Sequence, residues 1–243
     1  MKIQLAEDMV THVRAILEQN QNPAELVAMN DVKTIAIEEL IANCLEQAVA
    51  MAVDAADESL LENLDVKIYK NLEDLEDLED PKNSEYGRIE DGGKTISAPN
   101  DLQRLILITA DTWLGVAREI YDQSSPLYRI VNNRYIKSAG IANRPVIFHN
   151  YDDGGKKVIS LYPKVNEQVK VVYVAKPEFV TIKEGENNGK QGIPCDKMIY
   201  EGACFYCAFL VAMTQDWSNA AYYRQEAVQA LRANVAQTTT TTE

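Results

Sequence analysis

Pro145-Val-Ile-Phe148, Lys157-Val-Ile-Ser-Leu-Tyr-Pro163 and Val169-Lys-Val-Val-Tyr-Val-Ala-Lys-Pro177 are the stretches on which a reading of the fold turns. Each is a short run rich in β-branched and aromatic residues bounded by proline, the composition of strands in a packed sheet. Asp152-Asp-Gly-Gly155 supplies hairpin chemistry between the first and second. Leu102 to Thr109 adds another β-rich run, after Pro99 and before Thr109-Ala-Asp-Thr112, and pairing with Trp113 to Tyr121 is expected. Ser124-Ser-Pro126-Leu-Tyr128 starts a short helix with proline in its first turn.

Helical patterns stand on either side. Leu5, Met9, Val13, Ile16 and Leu17 recur at helical spacing and predict a helix over 4–19, ended by Asn20-Gln-Asn-Pro23. Ile37, Leu40, Ile41, Cys44, Leu45, Ala48, Met51 and Ala52 form a second apolar stripe, with Glu38, Glu39, Glu46 and Asp54 mostly off it. Further helices are expected from about Asp196 to Gln215 and from Asn219 to Ala236. The first is apolar around most of its circumference, through Met198, Ile199, Cys204, Phe205, Tyr206, Phe209, Leu210 and Val211, so it belongs in a core or between subunits.

The fold class that follows is α+β: a bundle of N- and C-terminal helices with a small antiparallel β module inserted. Residues 1–60 and 194–237 form the helical domain, 61–95 an acidic loop insertion, 96–193 the β-rich module and 238–243 a flexible tail. The insertion is placed by Leu-Glu-Asp repeated three times from Leu72 to Asp80, a period that suits neither helix nor strand burial. The closing threonine run is expected to be disordered in the isolated chain.

A chain of 243 residues is long enough for a substantial core. Its 46% hydrophobic and 25% charged residues are those of an ordinary globular protein. A net charge of −13 argues against binding duplex DNA through its phosphates. The same charge suits a surface past which DNA slides without sticking. The start of the chain turns acidic at Glu7 and Asp8 and lacks the apolar core of a signal peptide. Met198 to Met213 is too short to span a bilayer and carries Glu201. Synthesis in the cytoplasm, without membrane attachment, is the expectation.

The candidate chemical motifs each have a plainer explanation. Gly93-Lys94-Thr95 resembles the end of a phosphate-binding loop, but Gly87 stands one residue too far away and Glu90 and Asp91 would repel phosphate. Cys204-Phe-Tyr-Cys207 has the spacing of a zinc or redox pair, yet it lies mid-helix among aromatics, where cysteine acts as a small hydrophobe. Cys44 and Cys195 complete the set, and free thiols are expected. The Leu-Glu-Asp carboxylates lack the alternation and glycine of a calcium loop. His12 and His149 have no evident nucleophile or orienting partner. No cofactor, metal or catalytic residue is assigned.

Several local patterns follow one another along the chain: Asp8-Met-Val-Thr-His-Val-Arg-Ala-Ile-Leu-Glu-Gln-Asn20; Ile96-Ser-Ala-Pro-Asn-Asp-Leu-Gln-Arg-Leu105 with Trp113; Ser125-Pro-Leu-Tyr128; and Arg144-Pro-Val-Ile147 with Leu161-Tyr-Pro163 and Tyr173-Val-Ala-Lys-Pro177. Tyr200-Glu-Gly-Ala-Cys-Phe-Tyr-Cys-Ala-Phe-Leu210 with one more helix closes the series. Together they resemble the head–tail adaptor, or ring, proteins of short-tailed bacteriophages, the crAss-like group above all. Ala98 and Leu102 depart from the pattern, as does the acidic triplet. The resemblance implies a non-enzymatic virion protein at the head–tail junction. It would form a homo-oligomeric ring, commonly of twelve copies, between the portal and other tail ring or tube proteins. DNA would pass through its channel without sequence-specific recognition. A tail-tube or gatekeeper ring lower in the tail is an alternative, and a carboxylate-dependent hydrolase or metal-dependent enzyme is the alternative of a different class. Within the ring reading, Gly202, Ala203, Phe205, Tyr206, Phe209, Tyr223, Thr238, Thr239 and Thr240 are the expected interface residues.

Overall fold

The computed structural model describes residues 2–20, 37–69, 75–77, 94–133, 138–151, 157–165, 168–183, 185 and 187–240. Two compact units emerge: Met1–Asn63 with Lys176–Glu243, and Leu64–Ala175.

Among the described residues, the first unit is built on four α-helices. Strand β1 (Ile3–Leu5) leads directly into α1 (Ala6–Asn20), whose first turn carries Glu7 and Asp8 beside the positive end of the helix dipole. Met9, Val13, Ile16 and Leu17 are all buried, which is the one-sided stripe their spacing demands. In α2 (Ile37–Ala55) the stripe is Ile37, Ile41, Leu45, Ala48, Val49, Ala52 and Val53. Helix α4 (Tyr200–Thr214) packs against α1, α2 and α5 (Ala220–Thr240) together. That is why its alanines, cysteines and glycine are buried on several sides. Gly202 lets α5 come close, since a Cβ there would lie 2.8 Å from Leu231 Cδ2. Tyr223, Ala227 and Leu231 are the matching buried positions on α5, at spacings of four. Between α4 and α5 the chain reverses at Asp216, which takes φ 54, and the Trp217 amide donates to the Ala212 carbonyl at 2.9 Å.

A three-stranded sheet completes this unit, in the order β1-β11-β10, with β10 at Val180–Thr181 and β11 at Gln191–Pro194. Asp196, just after β11, is almost wholly buried. Its Oδ2 accepts hydrogen bonds from the amides of Glu62 (2.9 Å) and Asn63 (3.2 Å), tying the end of the segment after α2 to the start of α4. A short 3-10 turn, Glu58–Leu60, precedes this contact and is capped by Asp57.

The second unit is a pair of sheets. One has the order β2-β9-β5, with β2 at Asp65–Tyr69, β5 at Leu102–Ala110 and β9 at Val169–Ala175. The other has five strands, β3-β4-β8-β7-β6, from β3 (Leu75–Asp77), β4 (Lys94–Ser97), β6 (Ile120–Tyr121), β7 (Val146–Tyr151) and β8 (Lys157–Tyr162). Ile96, Ile147, Ile159 and Leu161 from the larger sheet share one core with Ile108, Val169, Val171 and Tyr173 from the smaller, so the two sheets bury their faces against each other. Alternation then sends Val146 and Phe148 to the opposite face from Ile147. There they pack with Tyr121, Leu127, Tyr128 and Tyr162 under α3 (Pro126–Val131), whose N-cap Ser125 accepts from the Leu127 amide.

The expectation of a helical bundle carrying one small antiparallel module is overturned. Among the described residues there are three sheets of three, three and five strands, and β6 pairs with β7 in parallel. One sheet lies in the first unit, with α1, α2, α4 and α5. Its strands are two to four residues long, too short to show a period, and residues 4 and 5, expected to begin a helix, belong to β1. The second compact unit runs from Leu64 to Ala175.

Three local expectations change as well. Leu75–Asp77, inside the acidic repeat, is a strand, with Leu75 opposite Ile96; the rest of the repeat lies outside the described residues. Strand β5 pairs along its length with β9, and meets the Trp113–Tyr121 segment at a single bridge, Ile108 to Ala117. Helix α5 runs through Thr240, so Thr238, Thr239 and Thr240 are helical and not a flexible tail. The predicted turn at 152–155 lies outside the described residues.

Candidate functional site

Six of the expected interface residues divide into two groups; Thr238, Thr239 and Thr240 are described only as helical backbone at the end of α5. Gly202, Ala203, Tyr206 and Tyr223 are buried within the chain's own helix packing, where they hold α4 and α5 together. Phe205 and Phe209 are half-buried, and Met213, one further step of four along α4, is 55% exposed. Phe205, Phe209 and Met213 thus form the apolar stripe of α4 that the fold leaves least covered, and exposed Tyr222 on α5 adds an aromatic to the helical unit. A helix that reads as apolar all round is therefore mostly core, with one stripe left over.

The cysteines are thiols set in apolar surroundings. Burial pushes Cys204 up to about 12, and raises Cys195 and Cys207 well above the ordinary thiol range; Cys44, half-buried on α2, is raised by the same cause. Cys207 Sγ lies 3.5 Å from the Ile41 carbonyl, a weak donor contact on the α2 side of α4. Cys204 and Cys207 thus act as the small packing residues that their place mid-helix suggests. Thiolate is the reactive form, so the expected outcome with a thiol reagent at pH 8 is early reaction at Cys44 alone. Cys195, Cys204 and Cys207 should react only as the protein unfolds, a difference that mass spectrometry of timed samples would measure.

Asp196 carries a testable electrostatic imbalance. Burial favours its protonated form and outweighs the Asn63 amide and Lys2, which favour the charge, so its pKa stands above the ordinary 3.8. The folded state therefore holds the proton to higher pH than the unfolded chain, and the stability this carboxyl contributes is greatest in acid and lost as pH rises through its folded pKa. Asp196→Ala, which strands two amides, should cost about 1–3 kcal/mol. Asp196→Asn keeps an acceptor for them and removes the charge. It should come within about 1 kcal/mol of the parent near pH 4 and match or exceed it at pH 7; urea titrations at both pH values check this.

His12 packs its ring 5.6 Å from that of Tyr200, a structural contact in the helical unit. Lys94 and Thr95 lie within β4, not at a helix start, so the strand-to-helix geometry of a phosphate loop is not what this segment forms. His149 sits in β7, with Nδ1 buried and without a hydrogen-bond partner among the described residues. Its pKa is held below the ordinary imidazole value by burial and then by Lys157, against the pull of Asp122.

His149 also lines a feature that the sequence did not announce. Leu102, Gln103, Arg104, Leu105, Arg118, Ile120, His149 and Lys157 surround an open hollow of about 260 Å³ in the β unit. Three cationic side chains meet there on a chain of net charge −13. Arg104 on β5, Arg118 in the segment before β6 and Lys157 on β8 are spread over more than fifty positions, so no local spacing could have revealed them.

No protein-family model matches this chain, and no curated protein does. Among the described residues no helix is long and apolar enough to cross a membrane, and no group of three His, Cys, Asp or Glu side chains is placed to hold a metal ion.

Proposed function

We propose that this chain is a structural virion protein that assembles as a ring between a phage portal and the tail, extending the channel through which DNA passes. The observation that carries the reading is the order of local patterns from Asp8 to Leu210, taken together as a resemblance to ring-adaptor proteins. Two physical features support it. The Phe205–Phe209–Met213 stripe offers an apolar strip on a rigid helix for heterologous contact with the next copy. A chain of net charge −13 also presents little that would retard DNA. In this reading the protein acts through assembly and holds no cofactor.

Sedimentation velocity across a concentration series, alone and with purified portal rings, tests the assembly. The parent chain should enter large particles, and Phe209→Glu with Met213→Glu should shift that assembly to at least tenfold higher concentration without changing the circular dichroism spectrum. Equal assembly by the parent and the double variant would remove the α4 stripe from the interface. A parent chain that neither self-assembles nor binds portal would overturn the proposal.

A further inference from the structure

Among the described residues, strand β2 lies at the edge of the sheet ordered β2-β9-β5, and its burial is unusual for a strand: Asp65 to Ile68 are all exposed and only Tyr69 is buried. Leu64, Val66 and Ile68 are 42%, 52% and 44% exposed, and alternation puts all three on one face. Asp65 and Lys67 occupy the other face, with Lys67 Nζ 4.9 Å from the centre of the Tyr69 ring. An exposed, apolar edge strand offers unpaired backbone groups to another strand, and proteins that leave such an edge bare risk promiscuous pairing. The residues on this edge fit one partner in particular.

We propose that β2 is a docking strand for a second copy of this chain, pairing antiparallel with its own counterpart about a two-fold axis through Val66. In that register Val66 faces Val66 of the other copy, Leu64 faces Ile68, and Asp65 faces Lys67. The Val66 pair lies on the axis and the other two relations each occur twice, as an isologous contact requires. Residues directly opposite one another share a face of the sheet. The six apolar side chains therefore make one continuous patch on one face, and two Asp–Lys pairs form on the other. Shifting the register by one residue sets Val66 against Lys67 and Asp65 against Ile68, and turns every side chain of the added strand to the wrong face. Shifting it by two sets Lys67 against itself, or Asp65 against itself. Of these registers, the one centred on Val66 alone satisfies charge and apolarity together, and so the occupant is read from β2 itself. Backbone pairing supplies the affinity and these side chains the register. The contact closes on two copies, so it is independent of the heterologous contacts of a ring and stands or falls separately.

Cysteine cross-linking of the full chain in a Cys44→Ser background tests the register. Under mild oxidation Val66→Cys should form a disulfide-linked dimer. Leu64→Cys and Ile68→Cys should each stay uncross-linked alone and form heterodimers when mixed. Sedimentation equilibrium tests the charges: Asp65→Lys or Lys67→Asp should each raise the dimer dissociation constant at least tenfold, and the double exchange should restore it. Cross-linking of all three single variants alike would show unregistered apolar association and overturn the proposal. So would failure of the double exchange to restore pairing, or a chain monomeric at every concentration reached, which would leave the edge to a different partner. Ring formation with no Val66 cross-link would sink this pairing and leave the ring reading intact.

Discussion

Phe148→Ala is expected to lower the unfolding free energy by about 3–5 kcal/mol, the largest loss of any single truncation considered for the β unit. Phe148 is fully buried, and its ring meets three tyrosines: Tyr128 at 5.2 Å and Tyr162 at 5.8 Å, both edge-to-face, and Tyr121 at 6.2 Å. Each edge-to-face pair adds to the area buried, because the positive edge of one ring meets the negative face of the other. Removing the phenyl group leaves a cavity walled by those rings. They are held by α3, β6 and β8, so the site cannot collapse onto alanine. Phe148→Leu fills most of the volume and should cost less than the alanine change by about 1–2 kcal/mol. Urea unfolding followed by tyrosine and tryptophan fluorescence measures both. A loss below about 1 kcal/mol for Phe148→Ala would mean that the cluster is not the anchor of this face.

The second large effect belongs to the helical unit. Leu45 is fully buried at the centre of the α2 stripe, on the helix that packs against both α1 and α4. Leu45→Ala should cost about 2–5 kcal/mol, from the lost transfer of the side chain to the interior and the cavity left behind. Met213→Ala, on the exposed stripe of α4, should stay within about 0.5 kcal/mol. The comparison matters because both residues are apolar and both sit on α-helices; only the covering differs. Thermal unfolding by circular dichroism at 222 nm distinguishes the two variants, and equal losses would contradict the assignment of Met213 to an uncovered stripe.

What the sequence disclosed follows from how far each signal extends along the chain. The α2 stripe spans five turns, and every buried position on it repeats at three or four residues, so periodicity alone located it. β7, β8 and β9 were marked by proline on their flanks and by short runs rich in β-branched and aromatic residues. Short strands gave no such signal. β10 has two residues, and β3 has one apolar residue between charges, so its pairing to Ile96 is decided by the sheet and not by its own composition. The threonine run is a poor helix former by intrinsic propensity, yet α5 continues into it from a well-packed stretch anchored by Tyr223, Ala227 and Leu231.

Interface residues were legible only by kind. The sequence showed that the helix from Met198 to Met213 is apolar all round, and a helix of that kind can be satisfied inside its own chain or by a neighbour. The fold divides them: α1, α2 and α5 cover Gly202, Ala203 and Tyr206, and leave Phe205, Phe209 and Met213 less covered. The basic hollow lay beyond reach because Arg104, Arg118, His149 and Lys157 come from strands of two different sheets and from the segment before β6, a convergence that a linear reading does not see.

The central claim, assembly into a ring, is tested most directly by negative-stain imaging of the purified protein over a concentration series, with and without portal rings. The account predicts closed rings with an open central channel and a single rotational symmetry, formed by the protein alone or as an added tier on the portal. Particles without a channel under every condition, and portal rings that remain bare, would contradict it.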